Sequence, residues 1–233
     1  MFNTTIATQI YAKICFEATN SQKKIIENLS EYLSDDDFSR IFVLNGFAGT
    51  GKTTLIAALV AALKELRIKP VLLAPTGRAA KVLARYCGEQ ALTIHKRIYR
   101  QRTNADYESK FSLDFNREQG AVFIVDEASM LSDSTGDGAL FGSGSLLEDL
   151  VSYVRSGRGC RLILVGDSAQ LPPVGCDFSP ALDPATVSRY GEVVYGLMDE
   201  VVRQQMQSGI LFNATLVRCM LENRIYEIPK FEM

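Results

Sequence analysis

The sequence predicts an α/β fold in which helices cover both faces of a parallel sheet. Short apolar runs recur along the chain without alternating polar residues, which is typical of strands buried on both faces. Segments with a helical spacing of apolar residues separate these runs, and such an alternation of strands with helices favours parallel pairing. The length of 233 residues and the hydrophobic content of 47% allow one large domain with a full core.

The strands are predicted from four apolar runs and a weaker fifth. The four runs are IFVLN (41–45), VLLA (71–74), AVFIV (121–125) and RLILV (161–165), and the fifth strand is placed near EVVYGLM (192–198). Because parallel strands end at the same edge of a sheet, the residues that follow these runs are expected to meet there.

The helices are predicted from the spacing of apolar residues between the strands. Leu55, Leu59 and Leu63 recur every four residues, which places them on one face of a helix. The predicted helical segments are TTLIAALVAALKELR (53–67), GRAAKVLARYCG (77–88) and SLLEDLVSYVRSG (145–157). Two segments break this rhythm: residues 97–120 predict a small β-hairpin insert, and residues 132–145 predict a loop rich in Gly and Ser.

The overall charge argues against binding of nucleic acid through the field of the whole protein. The formal net charge is −2 and the sequence pI is about 5.6, so such binding would need a local basic patch such as HKRIYRQR (95–102). The five cysteines are scattered without a C-x-x-C pair, which fits a reducing compartment and neither a disulfide framework nor a zinc site.

The sequence predicts no targeting or membrane segment, and we expect a soluble, cytoplasmic protein with no membrane partner. The first residues lack the basic stretch and the long apolar run of a signal peptide. The longest apolar run, LIAALVAAL (55–63), is far shorter than the ~20 residues that a membrane-spanning helix needs.

A phosphate-binding loop is predicted at GFAGTGKTT (46–54), which matches G-x-x-x-x-G-K-[ST] between a predicted strand and a predicted helix. Glycines there let backbone N–H groups converge on phosphate oxygens, and the helix N-terminus adds partial positive charge. Lys52 would reach the β- and γ-phosphates, and the Thr53 hydroxyl would bind Mg²⁺. The alternative, a Gly-rich turn with an accidental Lys, is disfavoured by this context. The residues predicted to bind nucleotide in this loop are Gly46, Ala48, Gly49, Thr50, Gly51, Lys52, Thr53 and Thr54.

Two carboxylates follow the third predicted strand, in FIVDEASM (123–130). Asp126 can hold the Mg²⁺ that Thr53 also binds, and Glu127 can polarise the attacking water. A glutamate directly after the aspartate indicates hydrolysis more than transfer to a small acceptor. The alternative is a solvated Asp-Glu pair at a strand end, which is common in isolation; downstream of a phosphate-binding loop we favour the functional interpretation.

The fourth strand ends in LVGDSAQLPPVG (164–175), where Asp167 and Gln170 stand at the strand tip before two prolines. We expect this tip to lie close to the γ-phosphate and the attacking water, where Gln170 can hydrogen-bond either one and register hydrolysis. Pro172 and Pro173 fix the exit of the loop. The alternative is a surface turn that the prolines terminate, and spacing alone leaves both interpretations open.

Six blocks of this chain occur in the order found in superfamily 1 DNA helicases. They are GFAGTGKTT, APTGRAA, TIHK, VDEASM, VGDSAQLPPVG and EVVRQ, and they span residues 46–204. The chain resembles most the RecD-like, 5′-to-3′ branch. The resemblance implies the first RecA-like motor domain, a P-loop NTPase fold at residues 41–233 that follows N-terminal helices at 1–40. It also implies an ATP hydrolase of the helicase type, with ATP and Mg²⁺ as cofactors and single-stranded DNA as partner.

The resemblance assigns roles to individual residues. Gln170 would sense the γ-phosphate, and Arg203 would touch that phosphate when the cleft closes. The residues implied in DNA binding are Thr76, Gly77, Arg78, Thr93, His95 and Lys96. A helix N-terminus beside Arg78 suits a phosphate, and basic residues interleaved with the ring of Tyr99 suit a stacking groove. The alternatives are an ordinary strand-to-helix turn and a packed or capping role for His95.

Gln22 in TNSQKKII (19–26) matches the position of the glutamine that reads adenine in this family. Thr19 and Gln22 also have the spacing of a capping box, which would open a helix with Ile25, Leu29 and Leu33 on its inner face. Adenine contact and helix capping both stay open at this point.

The resemblance does not extend to a complete motor. That motor needs a second RecA-like domain, whereas only about thirty residues follow Arg203 and a domain takes roughly 100–200. We therefore expect a monomeric chain that lacks the second motor domain, binds MgATP and single strands, hydrolyses poorly and does not unwind. The family often carries a strand-separating pin between TIHK and the Asp-Glu motif, and residues 97–120 are short for that role.

Two other classes of function stay open from the sequence. One is an ATP-gated module that binds single strands, or an assembly platform, without motor activity. The other is a small-molecule or nucleotide kinase, which also uses a phosphate-binding loop. Kinases usually carry an Arg-rich lid near the acceptor, and no such segment is evident in the sequence.

Overall fold

A parallel sheet forms the centre of the structure, a computed structural model that describes residues 2–14, 17–103, 109–133 and 141–202. The strands are β1 (Ile41–Gly46), β2 (Pro70–Ala74), β3 (Ala91–Thr93), β4 (Tyr99–Thr103), β5 (Ser109–Leu113), β6 (Val122–Val125), β7 (Arg161–Gly166) and β8 (Val193–Met198). Within the described ranges the central sheet has six strands in the order β3-β2-β6-β7-β1-β8, and all neighbours are parallel. The predicted fold class is confirmed. All five predicted strands are present, whereas the short edge strand β3 was not predicted.

Helices cover both faces of the sheet, as predicted. They are α1 (Phe2–Lys13), α2 (Asn20–Ser34), α3 (Lys52–Glu65), α4 (Gly77–Cys87), α5 (Ile94–Ile98), α6 (Leu146–Ser156) and α7 (Pro184–Val187). Apolar side chains of α1 to α4 fill the core on one face, and those of α5, α6 and α7 fill the core on the other. No helix in the described part of the chain combines the length and the apolar composition that a membrane span requires.

The central strand β1 shows why the strands lack polar alternation. Successive side chains of a strand point to opposite faces, and here both faces are covered. Phe42 and Leu44 belong to the core beneath α1 to α4, whereas Ile41 and Val43 belong to the core beneath α5 to α7. A continuous apolar run is therefore the pattern that this position in the sheet demands.

The N-terminal helices share the core of the sheet. The apolar positions predicted for the inner face of α2, which include Ile25, Leu29 and Leu33, are buried. The helix contacts α1 and β8, and α1 also contacts α3. Side chains from both sides of residue 40 contribute to one continuous core. The predicted division of the chain at this residue stays a prediction.

The predicted hairpin insert is present as β4 and β5, which pair antiparallel beside the main sheet. Its base is held by aromatic rings: Phe111 stacks on Phe141 with ring centroids 4.5 Å apart, and Tyr99 lies 5.3 Å from Phe141. Residues 134–140 of the predicted Gly/Ser loop lie outside the described residues.

Tyr32 of α2 binds the start of β7 at the amino edge of the sheet. Its hydroxyl donates to the Leu162 carbonyl at 2.9 Å and accepts from the Leu162 N–H at 3.1 Å. The side chain is fully buried, and burial raises the pKa of Tyr32. One hydroxyl thereby connects the N-terminal helices to a central strand through two hydrogen bonds.

Tyr32→Phe is expected to lower the free energy of unfolding by about 1–3 kcal/mol. The substitution removes a buried hydroxyl and leaves the backbone carbonyl and N–H of Leu162 without this partner. Chemical denaturation followed by circular dichroism measures the loss. Tyr86→Phe is the matched control, since Tyr86 is 64% exposed. The control should change stability by less than about 0.5 kcal/mol. Equal losses in the two variants would contradict the role of the hydroxyl.

Candidate nucleotide site and the adjoining cleft

The predicted phosphate-binding loop lies between β1 and α3, at the carboxyl edge of the sheet. Gly49 and Gly51 have φ angles of 78° and 86°, in the left-handed region that favours glycine. A Cβ atom on Gly51 would also lie 2.8 Å from the Gln22 side-chain nitrogen. The loop then enters α3 at Lys52, and the first turn of a helix presents N–H groups that can bind an anion.

The ammonium group of Lys52 lies within this loop. Its Nζ donates to the Phe47 carbonyl at 2.9 Å and also to the carbonyl of Gly46. The same nitrogen lies 3.8 Å from a carboxylate oxygen of Asp167, which is buried at the tip of β7. The lysine is therefore placed between the loop that follows β1 and the turn that follows β7.

Asp126 and Glu127 lie at the end of β6, next to β7 in the sheet. Burial raises the pKa of Asp126, against the lowering effect of the Glu127 N–H, which donates to its Oδ1 at 3.0 Å. The nearby charge of Lys52 also lowers the pKa of Asp126. Glu127 has φ 56° and ψ 37°, a left-handed conformation that is uncommon outside glycine and that tends to occur at functional sites.

Gln170 is exposed at the turn after β7, and its side chain contacts the segment after β6. The Ser129 hydroxyl lies 3.4 Å from Oε1 of Gln170, and Ser129 itself is fully buried. Sequence reasoning missed Ser129. The signal that could have found it is its place in VDEASM, two residues after Glu127.

A cleft of about 320 Å³ joins these carboxyl-edge residues to the motif that follows β2. Its lining residues are Thr76, Arg78, Ala79, Val82, Asp126, Glu127, Met130 and Gln170. The structure thus brings residues predicted for hydrolysis and residues predicted for DNA binding to one cleft. The expected convergence of strand ends is present, with Lys52 close enough to Asp126 to act on its charge.

The predicted DNA-binding threonines cap helices. The Thr76 hydroxyl accepts from the Ala79 N–H at 3.2 Å at the start of α4, and the Thr93 hydroxyl accepts from the Lys96 N–H at 3.2 Å at the start of α5. The exposed members of the predicted set are Thr76, Gly77, Arg78 and Lys96. Contact with DNA stays a prediction for all six residues.

Aromatic packing corrects the interpretation of Tyr99 as a ring that stacks on bases. Tyr99 is only 6% exposed, and its hydroxyl donates to Asp149 Oδ2 at 2.6 Å, whereas base stacking needs an open ring face. The ring of His95 lies 5.1 Å from that of Phe141 and 5.6 Å from that of Tyr99. Burial lowers the pKa of His95, which favours a neutral imidazole at pH 7. Thr93, His95 and Lys96 do not line the cleft.

Gln22 supports the phosphate-binding loop. The capping box with Thr19 is present: the Thr19 N–H donates to Gln22 Oε1 at 3.0 Å, and the Gln22 N–H donates to the Thr19 hydroxyl at 3.3 Å. The other end of the amide, Nε2, donates to the Thr50 carbonyl at 2.9 Å, and Gln22 is only 1% exposed. Both ends of the amide thus have partners within the protein. The adenine contact stays a prediction.

The segment after β8 contacts the same loop. The Val202 N–H donates to the Gly49 carbonyl at 3.1 Å, directly before the position of Arg203. Arg203 lies outside the described residues, so its role stays a prediction.

A protein-family comparison identifies the family. The family model described as AAA domain matches residues 17–211. The chain belongs to the AAA domain family. Within that family the resemblance to superfamily 1 helicases of the RecD-like branch, through the first RecA-like motor domain, is confirmed by the relatives that follow.

Curated relatives of this AAA domain include two RecD-type proteins. The ATP-dependent RecD2 DNA helicase of Deinococcus radiodurans is 30% identical over 154 residues, which cover 66% of this chain and 19% of the relative. The RecBCD enzyme subunit RecD of Mycobacterium tuberculosis is 33% identical over 201 residues, which cover 70% of this chain and 32% of the relative. The chain thus spans between about a fifth and a third of the length of these proteins.

A solved structure agrees with the fold. The Pif1 helicase from Bacteroides, crystallised with ADP-AlF3 and ssDNA, gives a TM-score of 0.56 at 19% identity, over 88% of this chain and 47% of that chain. At this identity the likeness shows the fold alone. The RecD-type relatives are helicase-type proteins, and the solved structure agrees with the α/β fold of this AAA domain.

Gln22→Ala is expected to weaken the binding of ATP and of GTP by a similar factor, about tenfold, which corresponds to about 1.4 kcal/mol. The physical reason is that the lost amide supports Thr50 in the phosphate-binding loop and not a particular base. Titrations of the chain with each nucleotide measure the two factors. Gln90→Ala, at an exposed position after α4, should change neither. A loss confined to ATP would instead show that Gln22 reads adenine.

Proposed function

We propose that this chain is the first RecA-like motor domain of a helicase that couples the turnover of MgATP to movement on single-stranded DNA. The observation that carries the proposal is the shared cleft at the carboxyl edge of the sheet. Asp126, Glu127 and Gln170 line the same cleft as Thr76 and Arg78. A change at the hydrolytic residues can therefore act directly on a strand held beside them. The RecD2 relative is an ATP-dependent DNA helicase and the Pif1 helicase was crystallised with ssDNA, and both facts support the same substrates.

The donor set of the site fits MgATP. The Thr53 hydroxyl and the Asp126 carboxylate are hard oxygen ligands of the kind that Mg²⁺ prefers, and phosphate oxygens and water would complete its coordination. Burial raises the pKa of Asp126, so a cation beside it would stabilise its charged form. Thr53 and Asp126 would hold the metal, which would supply positive charge against the negative charge that develops on the phosphates.

The residues of the chain then have distinct tasks. Lys52 would exchange the carbonyls of Gly46 and Phe47 for phosphate oxygens, since an ammonium gains more from a charged acceptor than from a neutral one. Glu127 would orient the attacking water and accept its proton. Gln170 accepts at Oε1 from Ser129, so its Nε2 hydrogens are the end that can donate to the γ-phosphate.

The single strand would contact the cleft through its backbone. Thr76 and Arg78 are exposed at the start of α4, where the partial positive charge of the helix favours a phosphate. The acidic residues of the chain outnumber the basic ones overall, so this contact depends on local groups and not on the net charge. Because these contacts are to phosphates, the affinity for single strands should fall as the salt concentration rises.

Lys52→Ala is expected to abolish ATP turnover by removing the positive charge at the phosphates, and Glu127→Gln should keep ATP binding while it slows hydrolysis about 100-fold or more. Turnover is measured with and without a single-stranded oligonucleotide, and ATP binding is measured by titration. Lys64→Ala, at the far end of α3, is the matched control and should behave as the wild type. Equal activity of the Glu127 variant would remove this residue from the base role. A nucleotide-dependent affinity for single strands without turnover in the wild type would instead favour the ATP-gated binding module.

Arg78→Ala is expected to weaken the binding of oligo-dT uniformly and to reduce the slope of its salt dependence by about one, because one phosphate contact is lost. Fluorescence anisotropy at several salt concentrations measures both quantities. Arg85→Ala is the matched control, because Arg85 lies in the last turn of the same helix and is exposed. If both variants lost the same affinity, binding would follow general charge and not the cleft.

A further inference from the structure

The side chain of Asn45 connects its own strand with the turn that follows one neighbouring strand and with the other neighbouring strand. Asn45 lies in β1 directly before the phosphate-binding loop and is only 6% exposed. Its Oδ1 accepts from the Ser168 N–H at 3.0 Å, and its Nδ2 donates to the Ser168 hydroxyl at 2.8 Å and to the Tyr195 hydroxyl at 3.0 Å. One amide therefore connects β1 with the turn after β7 and with β8.

A buried amide at this position needs an explanation. The preceding residues of the strand, Ile41 to Leu44, are all apolar and buried, and a buried polar group costs free energy unless its hydrogen bonds are made. Both N–H groups and the oxygen of the Asn45 amide form hydrogen bonds. An aliphatic residue would fill the place without this requirement, so the amide acts through the groups that it holds.

The main segment that the Asn45 amide holds is the turn after β7, which carries Gln170. Within that turn the Ala169 N–H donates to Asp167 Oδ1 at 2.9 Å, and the Gln170 N–H donates to the Asp167 carbonyl at 3.1 Å. Asn45 fixes the intervening Ser168 at both its N–H and its hydroxyl. The position of Gln170 is thus determined relative to the residue that precedes the phosphate-binding loop.

A second link between loop and turn is the approach of Lys52 to Asp167 at 3.8 Å. This link depends on the state of the site, because Lys52 would turn toward phosphate oxygens when nucleotide is bound. The Asn45 contacts involve no group that would bind phosphate. They do not depend on the position of Lys52, so they would hold the turn when the lysine moves.

We propose that Asn45 is a positioning residue that fixes the Gln170 turn against the phosphate-binding loop, so that Gln170 meets the γ-phosphate. This inference rests on the proposed ATP hydrolysis. Asn45 acts through Ser168 and Gln170 and does not itself contact the nucleotide. Loss of its amide should therefore affect the chemical step more than nucleotide binding.

Asn45→Ala is expected to lower kcat for ATP about tenfold, with KM for ATP changed less than about twofold, because the phosphate contacts of the loop remain. In a Gln170→Ala background the same substitution should have no further effect on kcat, since its target is already absent. Tyr195→Phe removes only the bond to β8 and should leave kcat within about twofold of the wild type. Additive losses in the double variant, or a rise in KM without a fall in kcat, would overturn the positioning role.

The two hydrogen bonds by which Asn45 holds Ser168 form a clamp, and hydrogen exchange tests this clamp without reference to activity. The Ser168 amide should exchange at least about tenfold faster in Asn45→Ala than in the wild type, and Tyr195→Phe should leave it protected. Unchanged exchange at Ser168 would refute the clamp even if ATP turnover were measured. If the wild type shows no ATP turnover while Ser168 still exchanges faster in Asn45→Ala, the proposed function is refuted and the clamp is supported. Should Asn45→Ala melt before the assay temperature, Ser168→Ala removes one of the same bonds and is measured in its place.

Discussion

The parallel direction of the central strands is the constraint on which the rest of this structure depends. Because these strands run the same way, their carboxyl ends meet at one edge, and every loop that leaves that edge begins next to another one. The phosphate-binding loop after β1, the carboxylates after β6 and the turn after β7 are neighbours for this reason alone. Residues that are more than a hundred positions apart in sequence, such as Asn45 and Ser168, can then share hydrogen bonds.

Polar contacts at this edge connect loops and helix starts that are far apart in sequence. Lys52 lies between loop carbonyls and Asp167, Ser129 reaches Gln170, and Gln22 reaches Thr50. The strained backbone of Glu127 belongs to the same edge. Such an arrangement makes each loop sensitive to the position of the next, which suits a site where the cleavage of one bond has to be reported elsewhere.

The sequence allowed the fold class, the main strands and the phosphate-binding loop to be predicted, because these depend on local pattern and on the spacing of a few residues. The pattern could not reveal β3, since Ala91–Thr93 is too short to show a period, nor that the ring of Tyr99 is buried. Burial of Tyr99 depends on Phe141 and Asp149, which come from elements far along the chain. The supporting role of Asn45 was missed for the same reason: its partners Ser168 and Tyr195 are set by tertiary contacts and not by neighbours in sequence.

The capping of helices shows how one residue can satisfy two demands. Thr76 and Thr93 each accept a backbone N–H, which stabilises a helix start, while both also belong to the segments that resemble a DNA-binding surface. Gln22 likewise completes a capping box and holds the phosphate-binding loop. Removal of such a residue affects stability and binding together, so the two effects have to be measured separately.

The hydroxyl of Tyr32 holds the sheet at its amino edge, away from the loops described above. The guanidinium of Arg161 lies over the same ring, with its carbon 5.3 Å from the ring centroid, and adds to this anchor. Cohesion and reactivity are thus assigned to opposite ends of the same strands. Substitutions in the loops at the carboxyl edge therefore leave the contacts at the amino edge in place. The chemistry of the site can change during evolution without loss of the fold.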